Sequence, residues 1–321
     1  MISSHQKSSV NDDFAKWANQ VYGQLKPVEV RRGKIHDYLG MQLDFKSDPG
    51  KVRVSQFAHV KDMLDSWPKK LEKSDIAKTP APANLFGRGG GELLSNDDRE
   101  LFHSLVMKGL FIAKRSRPNI LPATTVLSGR VQKPVDSDWK KLHQLMKYLN
   151  GTQKLHLVID MRSFRSPQWF VDAAYGVHPD FKSHSGGVLM SSNDGGAIIA
   201  GSNKQKLNTR SSTEAELVAG DDFLPRILHT KRFLQEQGLR VGKPVLKQDN
   251  KSTILLHEKG RSSLGKRTRH LELRYFYLHD NINRGEIKIE YCPADKMVAD
   301  YMSKPLQGTL FEKFRKAVLG M

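Results

Sequence analysis

The amino-acid sequence predicts an α/β (α+β) protein, with a mixed five-stranded sheet flanked by helices in its second half and a mostly helical first half. Three strand-like runs follow one another closely from Gln168, and the turns between them contain Gly, Asn and Asp, as in an antiparallel meander. Helices then alternate with two further strand-like runs, VLKQD and IKIEYC. A meander followed by alternating helices and strands is typical of one mixed sheet.

Composition narrows the range of partners. The 321 residues include 52 Lys and Arg against 34 Asp and Glu, which gives a formal net charge of +18. This excess predicts a polyanionic partner. Nucleic acid is favoured over a membrane, because no basic amphipathic helix with a Trp/Phe/Leu face stands out and no apolar run is long enough to span a bilayer. Cys292 is the single cysteine, so no disulfide can form within the chain, and a reducing intracellular location is expected.

The first half reads as a helix, a hairpin and a second helix, followed by a loop and a helical region. Helical spacing extends from Asp12 to Tyr22. The runs IHDYLGMQLDF and KVRVSQF are predicted to form one β-hairpin around the turn at 47–50. The helix in HVKDMLDSW ends before Pro68, and a Pro- and Gly-rich loop leads to helices between about Asp97 and Leu149.

Within the second half, the helix that begins at TEAELVAG contains Pro225. Proline has no N–H to donate within a helix, and its ring clashes with the preceding turn. The sequence therefore predicts a kink or a break there.

Four acidic residues occupy positions from which they could hold metal ions. Asp172 lies in the middle of the first strand, Glu216 in the first turns of a helix, Asp249 at the end of VLKQD, and Asp300 at the start of the last helix. A carboxylate amid apolar strand residues is costly unless it is paired or binds metal. Because acids also favour first helical turns and loop ends for ordinary reasons, position alone leaves both interpretations open.

Several longer motifs resemble one family. FVDAAYGVHPDFKSHSGGVLM, NKQKLNTRSSTEAELVAG, KQDNKSTILL, KRTRHLELRYFYLHDNI and IEYCPADKMVADYMSKPL occur in this order. Together they resemble the ribonuclease H domain of a copia-type LTR-retrotransposon Pol polyprotein. Upstream, HDYLGMQLDF and KVRVSQFAHVKDML resemble the primer-grip hairpin of its reverse transcriptase, and LFHSLVMKGLFIAKRSRPNI with WKKLHQLMKYLNGT resembles the thumb and connection. The resemblance implies a reverse-transcriptase palm end over 1–84, a thumb/connection-like region over 85–160 and a ribonuclease H-like domain over 165–321.

The resemblance also implies a chemistry. It assigns Asp172, Glu216, Asp249 and Asp300 as the catalytic carboxylates that hold two Mg²⁺ ions, with Mn²⁺ able to substitute. Asp172 would bridge both ions, Asp300 would help to hold the ion that activates water, and Glu216 with Asp249 would hold the other. The substrate class is an RNA–DNA hybrid, and the remainder of a Pol polyprotein is a possible further partner.

Further positions are implied to contact nucleic acid. At the helix that carries Glu216, Ser211, Ser212 and Thr213 either cap the helix or bind 2′-hydroxyl groups. Phosphate contacts are expected at Lys266, Arg267, Arg269 and His270. The primer-grip-like positions are Tyr38, Leu39, Gly40 and Met41.

One departure from the family concerns the polymerase. The family's paired-aspartate motif, usually YVDD, is not found upstream of the hairpin, since Asp12-Asp13 lies in NDDFAKW without a flanking strand. We therefore expect a chain that starts after the polymerase centre and does not polymerise by itself. Its expected location is cytoplasmic, in a virus-like particle, or nuclear.

The sequence leaves room for two other interpretations. Asp172, Asp249 and Glu286 have the spacing of a transposase or integrase trio, but Glu286 leads into a strand and no zinc-binding His/Cys pair is present. A decayed fragment that only binds nucleic acid is the second alternative. The presence of all four carboxylates argues against decay of the site.

Overall fold

The structure is a computed structural model that describes residues 7–162, 164–192, 195–260 and 277–321. Its first half combines helices with a small sheet. The elements are α1 (Ser8–Tyr22), β1 (Ile35–Tyr38), β2 (Met41–Asp44), β3 (Lys51–Ser55), α2 (Phe57–Asp65), α3 (Asn96–Ala113), α4 (Leu121–Ser128), α5 (Asp136–Gly151) and β4 (Leu157–Asp160), with a 3₁₀ turn at Pro118–Ile120 before α4.

The small sheet is antiparallel in the order β1-β2-β3-β4, which corrects the expected single hairpin. The run IHDYLGMQLDF folds back on itself at Leu39 and Gly40, whose φ angles of 49° and 75° suit a two-residue hairpin turn. Leucine rarely takes a positive φ, so the sequence carried no clear turn signal there. Strand β4, which pairs with β3, was also not expected.

The second half contains the strand-rich unit. Its elements are β5 (Gln168–Ala174), β6 (His184–Ser192), β7 (Gly195–Lys204), α6 (Ser212–Glu236), β8 (Val245–Gln248), α7 (Lys251–Lys259), α8 (Tyr277–Asn283), β9 (Lys288–Tyr291), α9 (Asp300–Ser303) and α10 (Gly308–Leu319).

These strands form one five-stranded sheet in the order β7-β6-β5-β8-β9. Strands β5, β6 and β7 pair antiparallel, whereas β8 is parallel to both β5 and β9. The mixed five-stranded sheet flanked by helices is therefore confirmed. Two parallel neighbours beside a meander bring the carboxyl ends of β5 and β8 to the same edge of the sheet.

Helix α6 runs continuously through Pro225, so the expected break is absent. A proline inside a helix costs about 3 kcal/mol in exposed contexts. Here Phe223, Leu224, Ile227 and Leu228 are buried against the sheet on both sides of the proline. Burial of four large side chains offsets the lost hydrogen bond and holds the helix together.

The largest hydrophobic core spans both halves of the sequence. Helices α3, α4 and α5 contribute to it, and so do β6 and α10, with Val188 and Phe314 among its members. The hydroxyl of Tyr301 on α9 donates to the carbonyl of Asn119 at 3.0 Å. The C-terminal helices are thus fixed to the upstream helical region, while the ranges 1–84, 85–160 and 165–321 stay a prediction. None of the helices in the described ranges has the length and apolar character needed to span a bilayer.

Candidate metal centre

Three carboxylates from distant parts of the sequence meet at one edge of the larger sheet. One oxygen each of Asp172, Asp249 and Asp300 lies within 4.8 Å of the other two. The pairing of β5 with β8 explains two of them, because Phe170 pairs with Lys247 and each aspartate follows two residues later. Side chains two apart on a strand share a face, so both aspartates leave the sheet on the same side. Asp300, the first residue of α9, completes the cluster.

Asp172 is the most deeply buried of the three. Its neighbours Trp169, Val171 and Ala173 face the core beneath α6, which leaves Asp172 on the opposite face of β5. It is 1% exposed. The Ser303 hydroxyl donates to its Oδ2, and the Lys304 Nζ lies 3.2 Å from that oxygen. These partners satisfy a carboxylate that burial would otherwise make costly.

Burial and mutual repulsion raise the pKa of two carboxylates in the cluster. Burial, and then the charge of Asp172, raise the pKa of Asp300 to about 7. The same two causes raise the pKa of Asp249 above its ordinary value. Additional positive charge near such carboxylates favours their ionised forms. Closely spaced carboxylate oxygens are the donors that Mg²⁺ and Mn²⁺ prefer, so the donor set fits such ions.

Glu216 lies beside this cluster but outside the group whose oxygens approach within 4.8 Å. It is 5% exposed on α6, and the side-chain amide of Gln248 donates to its Oε2 at 3.2 Å. Burial and then the charge of Asp172 raise its pKa well above the ordinary value, and Asp249 adds to this. The fourth carboxylate is therefore electrostatically coupled to Asp172 and Asp249.

Glu214 makes hydrogen bonds at the N-terminus of α6. Its carboxylate accepts a hydrogen bond from the backbone N–H of Arg210 at 2.7 Å. The hydroxyl of Ser211 accepts from the Glu214 N–H at 3.1 Å, so Ser211 is the N-cap of α6. Ser212 is exposed, and Thr213 is half-buried.

A glycine allows α9 to approach the sheet closely enough to deliver Asp300. Gly186 on β6 is the register partner of Asp172. A Cβ at Gly186 would lie 2.7 Å from the Ser303 nitrogen and 2.8 Å from the Ala299 oxygen. Both are backbone atoms at or next to α9, so a side chain at 186 would push this helix away.

We therefore expect Gly186→Ala to lower both stability and metal binding. Overpacking of this kind costs about 1–3 kcal/mol, and displacement of α9 would carry Asp300 out of the cluster. Thermal unfolding with and without Mn²⁺ measures both effects. Gly90→Ala is the control, since nothing lies within 4 Å of a Cβ there. A Gly186→Ala protein with unchanged melting and unchanged Mn²⁺ response would show that this close contact does not position Asp300.

The other residues assigned from the sequence fall into two groups, one outside the described residues and one at the tip of the first hairpin. The expected phosphate contacts, Lys266, Arg267, Arg269 and His270, lie outside the described residues. Tyr38, Leu39, Gly40 and Met41 form the tip of the first hairpin, where Leu39 is 64% exposed. Their proposed contact with a primer stays a prediction.

Sequence reasoning missed Ser303 and Lys304. Both follow Asp300 directly in the motif VADYMSKPL. Lys304 is four residues after Asp300, and acid–base pairs at this spacing meet on one helix face. That spacing was the available signal, and the pair forms at 2.9 Å.

No family model matches the chain. It is similar to Pol polyproteins from three transposons. The polyprotein of TNT 1-94 from Nicotiana tabacum is 25% identical to this chain over 295 residues, and the match covers 89% of this chain and 22% of the polyprotein. The polyprotein of RE1 from Arabidopsis thaliana is 24% identical over 287 residues, which cover 89% of this chain and 19% of the polyprotein. The Ty1-DR1 Gag-Pol polyprotein of Saccharomyces cerevisiae is 23% identical over 291 residues, which cover 84% of this chain and 16% of the polyprotein.

The chain thus spans about a fifth of the length of these curated relatives. The resemblance to copia-type Pol polyproteins that the motifs indicated is confirmed, and it covers most of the chain.

Solved structures with a similar arrangement include LC11-RNase H1, isolated from compost by a metagenomic approach. Its TM-score is 0.31 at 14% identity, with 43% of this chain and 93% of that chain covered. A foamy viral protease-reverse transcriptase in complex with dsDNA has a TM-score of 0.46 at 12% identity, with 91% of this chain and 52% of that chain covered.

Proposed function

We propose that this chain is a ribonuclease H that hydrolyses the RNA strand of RNA–DNA hybrids with two Mg²⁺ ions, which Mn²⁺ can replace. The convergence of Asp172, Asp249 and Asp300 carries the proposal, since one oxygen of each lies within 4.8 Å of the others. The similarity to transposon Pol polyproteins over most of the chain supports it. RNA–DNA hybrids arise when such elements are reverse-transcribed, so this substrate fits these relatives.

Each carboxylate has a distinct place in the proposed mechanism. Asp172, central and buried, would contact both ions, while Asp300 would hold one of them and Asp249 with Glu216 the other. When bound, the two metal ions would supply a nucleophilic water and stabilise charge on the leaving oxygen. The protein's part is to hold the carboxylates in place, with Ser303 fixing Asp172 and the sheet register fixing Asp249.

We propose no catalytic role for His279. The loop that leads to Asp300, CPADKMVAD, contains no histidine. The Nδ1 of His279 donates to the His257 carbonyl at 2.8 Å, and its Nε2 accepts from Asn283 at 2.9 Å. Both ring nitrogens of His279 therefore make hydrogen bonds within the protein.

Contacts to the nucleic acid are proposed at the start of α6. Ser211 and Ser212, which are exposed, and Thr213, which is half-buried, lie in the segment that leads to Glu216 and would contact 2′-hydroxyl groups. The net charge of +18 would attract the phosphate backbone. Lys266, Arg267, Arg269 and His270 remain proposed phosphate contacts, and the rest of a Pol polyprotein remains a proposed partner.

The two glutamates of SSTEAEL are expected to differ strongly. Glu216→Gln removes a buried carboxylate that would help to hold a metal ion, so hybrid cleavage should fall at least about a hundredfold, as when one positioned catalytic group is lost. Glu214→Gln keeps a side-chain oxygen that can accept from the Arg210 N–H, so cleavage should stay within about threefold of the parent. The measurement is the single-turnover rate of hybrid cleavage by each variant and by the parent at one fixed Mg²⁺ concentration. Equal losses would place Glu214 in the site and contradict the assignment.

Primer extension is not expected from the 321-residue chain. The residues needed to hold polymerase metals, a paired-aspartate motif upstream of the first hairpin, are not found in its sequence. Incubation with a primed template and all four deoxynucleotides measures this. Nucleotide incorporation by purified protein, retained in Asp172→Asn, would contradict the expectation.

A labelled RNA strand annealed to DNA tests the proposed function. We expect Mg²⁺-dependent cleavage of the RNA and none of duplex DNA. Tight hybrid binding without any cleavage would instead indicate a protein that only binds nucleic acid.

A further inference from the structure

The ammonium group of Lys304 lies inside the carboxylate cluster. Its Nζ is 2.9 Å from an Asp300 oxygen and 3.2 Å from Asp172 Oδ2. A third contact, to Asp172 Oδ1, measures 3.4 Å. The two partner carboxylates are 13% and 2% exposed, so this is a largely buried arrangement rather than a surface ion pair.

Backbone geometry places the lysine there. Helix α9 makes a single turn, and the Lys304 N–H donates to the Asp300 carbonyl at 2.9 Å. Lys304 therefore begins directly above Asp300, with Pro305 preventing any continuation of the helix. The side chain is 38% exposed, which leaves it a route out to solvent.

A metal ion and this ammonium group need the same oxygens. Mg²⁺ binds carboxylate oxygens at about 2.1 Å, and an ammonium hydrogen bonded to those oxygens would then lie within a few ångströms of the ion. Two cations at such a separation repel strongly where solvent is scarce. The lysine must leave Asp172 and Asp300 when an ion binds between them.

We propose that Lys304 is a built-in counter-ion, which competes with the divalent ion for Asp172 and Asp300. The proposal rests on the metal-dependent function proposed above. It makes Lys304 a determinant of metal affinity.

Isothermal titration of the full chain with Mn²⁺ alone tests the proposal. Lys304→Met should bind Mn²⁺ about tenfold more tightly than the parent, because the competitor is gone, while the metal-free protein should melt several degrees lower. Lys304→Gln serves as a second neutral variant that keeps polar contact with the carboxylates, and it should also bind more tightly. Lys304→Arg keeps the charge and should stay within threefold of the parent.

Lys313→Met is the matched control. Lys313 pairs with Asp295 at 3.8 Å on the same C-terminal segment, with both side chains more than half exposed. Its Mn²⁺ affinity and melting temperature should equal those of the parent.

The outcomes separate this proposal from the proposed function. Unchanged or weaker Mn²⁺ binding in folded Lys304→Met and Lys304→Gln would overturn the counter-ion role, even if the parent cleaves hybrids. Tighter binding in both variants would establish it, even if the parent cleaves no hybrid. In that case the proposed function alone would fail.

Discussion

Replacing Asp172 with Asn is expected to abolish hybrid cleavage while leaving the metal-free protein at least as stable as the parent. Asn has nearly the same shape and can keep the contact with Ser303. It removes the charge that raises the pKa of Asp300, Asp249 and Glu216, so repulsion in the metal-free site decreases. Loss of the central metal ligand should remove at least about 4 kcal/mol of transition-state stabilisation, or about a thousandfold in rate.

Single-turnover cleavage and thermal unfolding in EDTA measure the two halves of this prediction. Asp180→Asn is a suitable control, because Asp180 lies in the loop after β5 and makes an exposed ion pair with Lys204 at 2.8 Å. That variant should cleave like the parent. Cleavage by Asp172→Asn within tenfold of the parent would mean that the metals bind elsewhere.

The second large effect is a pH-dependent stabilisation by Mg²⁺. At pH 8 and about one hundred times its Kd, the ion should stabilise the fold by about 2.7 kcal/mol, or roughly 4 °C for a chain of 321 residues. At pH 5.5 the ion must displace the proton from Asp300, whose pKa is about 7. This costs about 2 kcal/mol, so the rise in melting temperature should shrink to about 2 °C or less.

The sign follows from the direction of the shift. A carboxyl group whose pKa is raised on folding favours the protonated folded state, so the metal-free protein loses this stability as pH rises from about 4 towards 7. Buried histidines act in the opposite direction. Burial lowers the pKa of His184 and His257 to about 3, so their contribution is lost as pH falls below about 6.5.

Because the histidines lie outside the carboxylate cluster, the difference in melting temperature with and without Mg²⁺ isolates the carboxylates. NaCl at matched ionic strength controls for general screening. Asp172→Asn should show almost no Mg²⁺ response at either pH. An equal rise at pH 5.5 and pH 8 in the parent would show that Mg²⁺ does not displace a proton from Asp300.

Much of the sheet and of the carboxylate cluster could be predicted from the sequence, because both depend on local sequence patterns. The meander from Gln168 has polar turns and strand-like runs, and these fix the register of Asp172 once the strands pair. Asp249 falls at a strand end and Asp300 at a helix start, positions that a single sequence displays.

The rest depends on tertiary contacts. Helix α6 continues through Pro225 because burial of its apolar face stabilises the helix by more than the proline destabilises it. The neighbouring sequence alone does not show how much of that face is buried. The turn at Leu39 requires a leucine with positive φ, and β4 becomes a strand only by pairing with β3 more than one hundred residues away. Lys304 was overlooked because its two carboxylate partners lie together only after β5 and α9 pack.

The most direct test of the central claim is the Mg²⁺ dependence of RNA cleavage in an RNA–DNA hybrid by the purified 321-residue chain. Labelled RNA in the hybrid, duplex DNA of the same sequence and free RNA are compared under single-turnover conditions. We predict cleavage of the hybrid RNA alone, abolished by EDTA and by Asp172→Asn, and restored by Mn²⁺. Cleavage that persists in EDTA or in Asp172→Asn, or no cleavage by a folded parent that binds the ions, would contradict a ribonuclease H built on these carboxylates.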